Sequence, residues 1–415
     1  MPLQGPILIV ANRAAGGLAQ AFTDAGAFPV VEASWPGAQT AAAEVKPAAI
    51  VLTEPDAADS AAAMALCHHV ATATPFIPMV VRVREHVAPA LPEALPIADD
   101  APVEQLIARV SSALRLRTLH STVIGRARTL KEQRNIVAEL PAGDPLDDAT
   151  VLLIGRGRHH ATLSVAVGER MGVMGALSVD QGARCLNARE IDGIVIGDGL
   201  AAGPVDAFLA ALSEDLRFRD LPVAVLGVGC DAEKLPNFVR ARDPLVLLAR
   251  AVPFIRMRAF EIALKRLLKS IECKGMIDAQ TGLFNASAFG EALGHAIADA
   301  GARGVGLSLA RFSFDEPLDR RTSMDAARLV SRLVRDADFA CRQDDGSILF
   351  AFGDTELRDA HVVARRLASV LKHTMLRADR ERPGVSPAVT LATLKPADTM
   401  HTLLARVAPR PVAAA

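Results

Sequence analysis

The sequence predicts an α/β protein in which two doubly wound, five-stranded parallel sheets are followed by a smaller α+β domain. Short, continuous apolar runs alternate with helical stretches from Pro6 to Leu116, and the alternation restarts at Thr150. Apolar strands separated by helices are typical of parallel sheets that are covered on both faces. A length of 415 residues fits two or three domains.

The first predicted domain, residues 1–122, contains five strands at Pro6–Ala11, Pro29–Glu32, Ala48–Thr53, Pro78–Val83 and Ala94–Ala98. Its last helix is predicted over Val103–Leu116. Fivefold strand–helix alternation in this length is the flavodoxin-like arrangement. A charged stretch, broken at Pro141–Pro145, then predicts a helical linker over residues 123–148.

The second predicted domain, residues 149–273, repeats this pattern at a spacing of about 150 residues, as in a domain duplication. It ends in a long helix, 244–273, whose apolar residues recur at three- and four-residue steps. Two interpretations of this helix apply together. It packs on its own sheet, and it also serves as a signalling helix that pairs with a second copy.

Composition excludes several classes of function. The formal net charge of -1 provides no global field for nucleic acid or an acidic membrane. No apolar run is long enough to span a membrane, and the N-terminus lacks the basic region of a signal peptide. Five scattered cysteines favour reduced thiols and argue against a zinc site. Aromatic residues make up 4%, too few for a single-strand stacking platform. A cytoplasmic location is expected.

Two motifs mark the last predicted domain, residues 274–415. Asp278–Asn285 reads D-A-Q-T-G-L-F-N, and Arg335–Ile348 reads R-D-A-D-F-A-C-R-Q-D-D-G-S-I. They resemble the entry motif and the signature hairpin of GGDEF domains, the diguanylate cyclase family, where R-x-x-D precedes R-x-G-G-[DE]-E-F. Arg335 and Asp338 occupy the R-x-x-D positions, and the segment 344–348 occupies the G-G-D-E-F positions. The two preceding domains resemble receiver domains.

The resemblance implies that the catalytic half of the signature is lost. Arg311 and Ser313 stand where the family carries two aspartates, and a permanently cationic arginine cannot hold magnesium. Asp344 and Asp345 place negative charge where the phosphates must lie. Because phosphoryl transfer depends on positioning and on neutralisation by metals, we expect no enzyme activity and no resident metal or cofactor.

The retained half implies a binding site for cyclic di-GMP. The family's inhibitory site maps onto Arg335 and Asp338, and its secondary contacts map onto Arg366 and Asp359. An arginine fork donates to guanine O6 and N7 or to phosphate, and a carboxylate accepts from the guanine N1–H and N2–H. A spacing of three presents both side chains from one helical turn. Val362 replaces a further basic contact. The alternative is a surface ion pair on a helix, worth less than about 1 kcal/mol.

The two receiver-like domains lack the acidic pair that binds magnesium in receivers. In the second domain Asp198 ends a predicted strand and is the candidate phosphoacceptor, but the cationic segment Gly155–His160 stands where the acids belong, which argues against phosphorylation. In the first domain Glu54 is a shifted stand-in for the acceptor, and a solvated loop carboxylate is the favoured interpretation.

The domain order and the losses together resemble PopA-type effectors, a non-catalytic, pole-localised family. The resemblance implies a cyclic di-GMP receptor and scaffold in polar localisation and cell-cycle-regulated proteolysis. Its implied partners are a second copy bound through the receiver domains and adaptor or protease-delivery proteins, with no nucleic acid and no membrane span. Two alternatives stay open: an active diguanylate cyclase with an atypical site, and a ligand-independent dimerisation scaffold.

Overall fold

The structure, a computed structural model, describes residues 5–12, 17–53, 55–84, 89–218, 220–227, 235–314, 318–335, 337–374 and 387–408. The chain forms two compact units. Unit 1 consists of Met1–Gly125 with Leu140–Leu264, and unit 2 of Arg126–Glu139 with Lys265–Ala415. Across the described ranges, no helix combines the length and apolar character needed to cross a membrane.

The first half of unit 1 is a parallel sheet with helices on both faces. Its elements are β1 (Ile7–Val10), α1 (Leu18–Asp24), β2 (Val30–Ala33), α2 (Ala38–Val45), β3 (Ala49–Thr53), α3 (Ser60–Ala71), β4 (Met79–Val83), β5 (Leu95–Ala98) and α4 (Val103–Arg134). The strand order is β2-β1-β3-β4-β5, and every pairing is parallel. The parallel doubly wound sheet predicted from the sequence is therefore confirmed.

The second half of unit 1 repeats this topology. Its elements are β6 (Thr150–Ile154), α5 (His160–Gly168), β7 (Gly172–Ala176), α6 (Val179–Ala188), β8 (Gly193–Ile196), α7 (Ala202–Glu214), β9 (Val223–Leu226), β10 (Phe238–Ala241) and α8 (Pro244–Glu272). The strand order β7-β6-β8-β9-β10 matches that of the first half. Burial on both faces explains the unbroken apolar runs, because β1, β8 and β9 are buried at every residue.

Helix α4 is longer than the sequence predicted. The predicted end at Leu116 is wrong, since the helix continues to Arg134. The first part of the segment 123–148, predicted as a helical linker, is helical as expected, but it belongs to the same helix. No proline interrupts residues 103–134, and the single glycine there, Gly125, costs a helix only about 1 kcal/mol. The change from apolar to charged composition therefore marks a change of environment along one helix, not its end.

Unit 2 carries a mixed α+β domain, as predicted. Its elements are α9 (Ala286–Arg303), β11 (Ser308–Phe314), α10 (Arg320–Ser331), β12 (Phe339–Arg342), β13 (Ile348–Phe352), α11 (Leu357–Thr374), β14 (Pro387–Thr393) and α12 (Met400–Arg406). The sheet order is β12-β13-β11-β14 with antiparallel pairings throughout. The central strands β11 and β13 position the hairpin between β12 and β13.

The entry motif forms a turn that leads into α9. The Asp278 carboxylate accepts hydrogen bonds from the Gln280 backbone N–H at 3.0 Å and from the Thr281 hydroxyl at 2.6 Å. Asn285 then caps the helix, its Oδ1 accepting from the Ala288 N–H at 2.8 Å. The segment Asp278–Asn285 is thus a turn, closed by its own side chains, that begins helix α9.

Candidate functional site

Arg335 and Asp338 lie in the connection between α10 and β12. The Asp338 backbone N–H donates to the Arg335 carbonyl at 3.0 Å, which closes a turn, and Asp338 directly precedes the strand. The prediction that both residues share one helical turn is wrong, because α10 ends at Ser331 and the chain must reverse to enter the sheet. The turn nevertheless holds the two backbone positions together, with the Arg335 side chain exposed and Asp338 half-buried.

The Asp338 carboxylate is tied to the end of β13. Its Oδ1 accepts a hydrogen bond from the Gly353 N–H at 3.2 Å. Burial raises the pKa of Asp338 above the ordinary aspartate value, and the Gly353 hydrogen bond and the charge of Arg335 oppose that rise only in part. Asp338 therefore loses its negative charge at a higher pH than an ordinary exposed aspartate does.

Gly353 is packed directly against this turn. A Cβ added at Gly353 would lie 2.3 Å from the Ala337 carbonyl oxygen, a contact with backbone that no side-chain movement relieves. Only glycine allows the end of β13 to approach the turn this closely. The position of Asp338 is thus set by backbone packing as well as by its own hydrogen bond.

The predicted secondary contacts lie on helix α11. Asp359, Val362 and Arg366 are all exposed and recur at spacings that place them on one face of the helix. Asp359 is in the first turn, where the helix dipole favours a carboxylate. Val362 is 66% exposed, so an apolar side chain stands on this face between the two charged residues. The opposite face packs on the sheet through Ala360, Ala364, Leu367 and Leu371.

The signature positions form the tight loop between β12 and β13. Arg342 pairs with Ile348, the Gln343 N–H donates to the Ser347 carbonyl at 2.8 Å, and Gly346 has φ +79°. The left-handed backbone at Gly346 favours glycine and explains the one glycine in the loop. The loop thus closes by local hydrogen bonds.

A second set of interactions links this loop to β11, and we call Arg311, Asp345 and Ser347 the hairpin cluster. The Arg311 Nη1 donates to Asp345 Oδ2 at 3.0 Å and to the Ser347 hydroxyl at 2.8 Å. The Ser347 N–H donates to Asp345 Oδ1 at 2.9 Å. Burial alone would raise the pKa of Asp345, but the hydrogen bonds from Ser347 and the charge of Arg311 outweigh it and lower that pKa.

From the sequence, Arg311 and Asp345 are two unrelated departures from the family pattern, but in the structure they bind each other. The signal was present: two positions depart from the family pattern with opposite charges, one on a central strand and one in the adjacent hairpin. Strand register decides the pairing, because β11 and β13 are neighbours with Arg311 opposite Leu349. The arginine side chain is only 12% exposed, so the ion pair compensates a charge that is largely removed from water.

We expect Arg311→Ala to lower the free energy of unfolding by about 1–3 kcal/mol, because it removes charge-assisted hydrogen bonds from a largely buried donor. Urea denaturation measures the change. The matched control is Arg303→Ala, which removes an ion pair to Asp354 whose side chains are 57% and 54% exposed. That variant should lose under about 1 kcal/mol. Equal losses in the two variants would contradict a structural role for the hairpin cluster.

Asp198 follows β8 and is bound by the loop that follows β6. Its Oδ1 accepts from the His159 backbone N–H at 3.3 Å, and its Oδ2 lies 3.1 Å from the His159 Nδ1. Partial burial alone would raise the pKa of Asp198, but hydrogen bonds from backbone N–H groups and the His159 ring lower it. A Cβ at Gly157 would lie 2.3 Å from Asp198 Cγ, so the loop packs directly on the carboxylate.

Asp198 stays an untested candidate phosphoacceptor, against which the cationic segment Gly155–His160 argues. The structure adds a contact that the sequence did not indicate, because His159 occupies both carboxylate oxygens. Glu54 and Cys230 lie outside the described residues. Within the part of the chain that the structure describes, no three His, Cys, Asp or Glu side chains form a group suited to a metal ion.

Comparisons with known proteins gave matches only among solved structures. No protein-family model matches the chain, and no curated protein does. The coiled coil and GGDEF domain of DgcB from Caulobacter crescentus, in complex with c-di-GMP, is 19% identical over 35% of this chain and 82% of its own, with a TM-score of 0.30. Diguanylate cyclase SiaD from Pseudomonas aeruginosa, in complex with its activator SiaC, is 19% identical over 34% of this chain and 60% of its own, with a TM-score of 0.31.

The GGDEF domain of FimX from Pseudomonas aeruginosa is 16% identical over 32% of this chain and 88% of its own, with a TM-score of 0.29. These structural neighbours are thus GGDEF proteins that align with about a third of the chain. Likeness at this level of identity and TM-score does not assign an activity.

Proposed function

We propose that the chain is a catalytically inactive receptor for cyclic di-GMP, built on a degenerate GGDEF-type domain, that acts as a signalling scaffold. The observation that carries the proposal is the turn closed by Arg335 and Asp338, which presents an exposed guanidinium next to a half-buried carboxyl group. These two residues also stand at the positions where the family signature places its product-binding pair.

The chemistry of this turn suits a guanine base. The Arg335 guanidinium donates two parallel hydrogen bonds to guanine O6 and N7, or binds a phosphate in the same bidentate way. Asp338 accepts from the N1–H and N2–H groups while its Oδ1 also receives the Gly353 N–H. In this proposal the turn reads the base and a second face supplies contacts to the rest of the ligand.

Helix α11 supplies that second face. Asp359 and Arg366 repeat the combination of carboxylate and guanidinium on an exposed surface. Val362 contributes an apolar contact where the family has a basic residue, so this face is expected to bind more weakly than the turn. A ligand with two guanines and two phosphates engages both sets of residues.

Loss of turnover follows from the hairpin cluster. A cyclase needs metal ions to neutralise the charge of the transferring phosphoryl group. Here a guanidinium occupies the strand position of a metal ligand and is bonded to Asp345 and Ser347. In the proposal the cluster keeps the hairpin folded and leaves no carboxylate pair for magnesium at this strand.

The scaffold role rests on the resemblance of the domain order to that of PopA-type effectors. It includes self-association through the N-terminal α/β halves and binding to adaptor or protease-delivery proteins at the cell pole. Cyclic di-GMP must bind one arrangement of the chain more tightly than another to control such contacts.

Calorimetric titration of cyclic di-GMP into the full chain tests the proposal, together with incubation in GTP and magnesium. We expect saturable binding and no dinucleotide product, with an active diguanylate cyclase run in parallel as the positive control. Dinucleotide product would establish a working cyclase with an atypical site. Absence of both heat and product would instead favour a ligand-independent scaffold.

We expect binding to weaken on acidification. Because burial raises the pKa of Asp338, the carboxylate that accepts from guanine is lost as pH falls through that raised value. Titrations from neutral to mildly acidic pH measure the change in affinity. Asp338→Asn should bind more weakly and lose this pH dependence. A wild-type affinity that stays constant over the range would show that Asp338 is not the acceptor.

A further inference from the structure

A histidine and an aspartate form a hydrogen-bonded dyad at one edge of the second sheet of unit 1. His159 lies in the loop after β6, and Asp198 lies in the loop after β8, its parallel neighbour. From β6 the chain turns to β7 on one side of this strand pair, and from β8 it turns to β9 on the other side. Doubly wound sheets bind ligands in the crevice outside the carboxyl ends of strands where the strand order reverses in this way. The dyad therefore lies where such a sheet accepts a ligand.

Three glycines allow the two loops of the dyad to pack against each other. A Cβ at Gly157 would lie 2.3 Å from Asp198 Cγ, and one at Gly199 would lie 2.7 Å from the Gly157 backbone nitrogen. A Cβ at Gly155 would lie 3.3 Å from Gly197 Cα. The Gly157 N–H also donates to the Asp198 carbonyl at 3.0 Å. Close backbone packing and hydrogen bonds therefore fix the position of the carboxylate relative to the loop that carries the histidine.

The hydrogen bonds of the dyad leave one ring nitrogen of His159 available. Its Nδ1 lies 3.1 Å from Asp198 Oδ2, and an ionised carboxylate only accepts hydrogen bonds, so Nδ1 carries the hydrogen. In the neutral ring, Nε2 then holds a lone pair. Among the described residues Nε2 has no hydrogen-bond partner, and the side chain is 27% exposed. An imidazole oriented by a carboxylate on one nitrogen presents the other nitrogen as a nucleophile.

The surroundings of this nitrogen favour a phosphoryl group over a metal cation. The segment 155–160 contains two arginines and no acidic residue. The Arg156 Nε donates to the Gly199 carbonyl at 3.2 Å, which holds its side chain beside the loop of Asp198. The exposed Arg158 directly precedes His159. Guanidinium groups bind phosphate oxygens, and an anion is also favoured at the N-terminus of α5, which begins at the next residue.

We propose that His159 is a phosphoryl-acceptor site, at which Nε2 takes a phosphoryl group from a donor of the phosphoramidate class. The Nε2 lone pair forms the new P–N bond as the donor's P–N bond breaks, and that electron pair leaves with the donor nitrogen, which departs as an amine. Nδ1 keeps its hydrogen, so the ring gains positive charge. Asp198 is the positioning residue that orients the ring and neutralises this charge. The site lies in unit 1 and does not depend on the proposed cyclic di-GMP site.

Incubation of the full chain with potassium phosphoramidate tests the proposal. The rate of phosphorylation is measured for each histidine by mass spectrometry of peptides kept at alkaline pH. His361 on α11 is the internal control, because its ring is exposed and has no hydrogen-bonded carboxylate among the described residues. We expect His159 to be phosphorylated several-fold faster than His361. Equal rates at the two histidines would overturn the proposal, since His159 would then react only as an ordinary surface imidazole.

Asp198→Asn tests the positioning role. Asparagine keeps the shape of the side chain and still accepts from the His159 backbone N–H, but it lacks the negative charge. We expect the rate at His159 to fall several-fold while the rate at His361 and the circular dichroism stay unchanged. Asp206→Asn, at an exposed position on α7, is the matched control and should leave the rate at His159 unaltered. Equal rates at His159 in the two variants would show that the carboxylate does not activate the ring.

The stability of the phosphorylated product identifies the acceptor atom. A phosphohistidine survives alkali and hydrolyses in acid, whereas an aspartyl phosphate hydrolyses in alkali. We expect an alkali-stable phosphoryl group on the peptide that contains residue 159, and its loss in His159→Gln. An alkali-labile group that persists in His159→Gln and disappears in Asp198→Asn would overturn the proposal, because Asp198 itself would then be the acceptor.

Discussion

Replacing Arg335 by alanine is expected to weaken cyclic di-GMP binding roughly 10- to 100-fold. A bidentate arginine–guanine contact contributes about 1–3 kcal/mol of discrimination, and the exposed Arg335 side chain has the freedom to form it. Folding should be unaffected, because an exposed arginine contributes little to a core. Calorimetric titration of the full chain measures the affinity, and far-ultraviolet circular dichroism checks the fold.

Arg332 provides the matched control for that experiment. It is an exposed arginine in the same connection, at the C-terminal end of α10, but it lies outside the R-x-x-D pair. Arg332→Ala should change affinity less than about threefold, by the loss of a screened surface charge alone. Equal losses of affinity in the two variants would show that the arginines attract the anionic ligand nonspecifically. An unaltered affinity in Arg335→Ala would contradict the proposed receptor site.

Replacing Gly353 by alanine is expected to lower both stability and ligand affinity. The added methyl group would lie 2.3 Å from the Ala337 carbonyl oxygen, so the turn that carries Arg335 and Asp338 must move. Overpacking of this kind typically costs about 1–3 kcal/mol. The same movement strains the Gly353–Asp338 hydrogen bond and displaces the carboxylate that accepts from guanine. Urea denaturation and calorimetric titration measure the two losses.

Gly290 offers a control with the opposite expected sign. It lies inside α9, and no heavy atom stands within 4 Å of where its Cβ would be. Gly290→Ala should therefore raise the free energy of unfolding by up to about 1 kcal/mol, through helix propensity alone, and leave affinity unchanged. If Gly353→Ala proved as stable as Gly290→Ala, the end of β13 would not lie as close to the Ala337 carbonyl oxygen as the structure shows.

The contacts of Arg311, Asp345 and Ser347 give the hairpin cluster a structural role. Arg311 by itself would be a largely buried positive charge without a partner, which is costly. Asp345 and Ser347 supply that partner from the hairpin. Removal of either charged partner alone should therefore destabilise the domain.

The long helices α4 and α8 contact each other within unit 1. From its sequence, α8 is expected both to pack on its own sheet and to pair with a second copy of the chain. The first role is confirmed by the buried residues that α8 contributes to the core, and the second stays a prediction. The rings of His120 in α4 and Phe260 in α8 meet edge to face at a centroid distance of 5.1 Å, and the Arg109 guanidinium carbon lies 4.8 Å from the Phe254 ring centroid. The two helices thus run side by side in the same direction within unit 1.

Several features of this protein were determined by the sequence alone. The apolar runs at β1, β3, β6 and β8 are too short for helices and too continuous for half-exposed strands, so they specify buried parallel sheets. The Asp278 turn and the Asn285 cap were predictable because each depends on residues a few positions away. Local hydrogen bonding and two-sided burial are properties that a sequence pattern encodes directly.

Tertiary structure alone decided the rest. Arg335 and Asp338 share a turn and not a helix, because the position of β12 forces the chain to reverse there. The Arg311–Asp345 pair and the Asp198–His159 contact each join residues more than thirty positions apart, and only strand register and loop packing bring them together. Burial of Arg109 depends on carbonyl groups from both halves. Contacts between distant segments depend on how whole helices and strands pack together. The periodicity of residues within one helix or strand does not encode that packing.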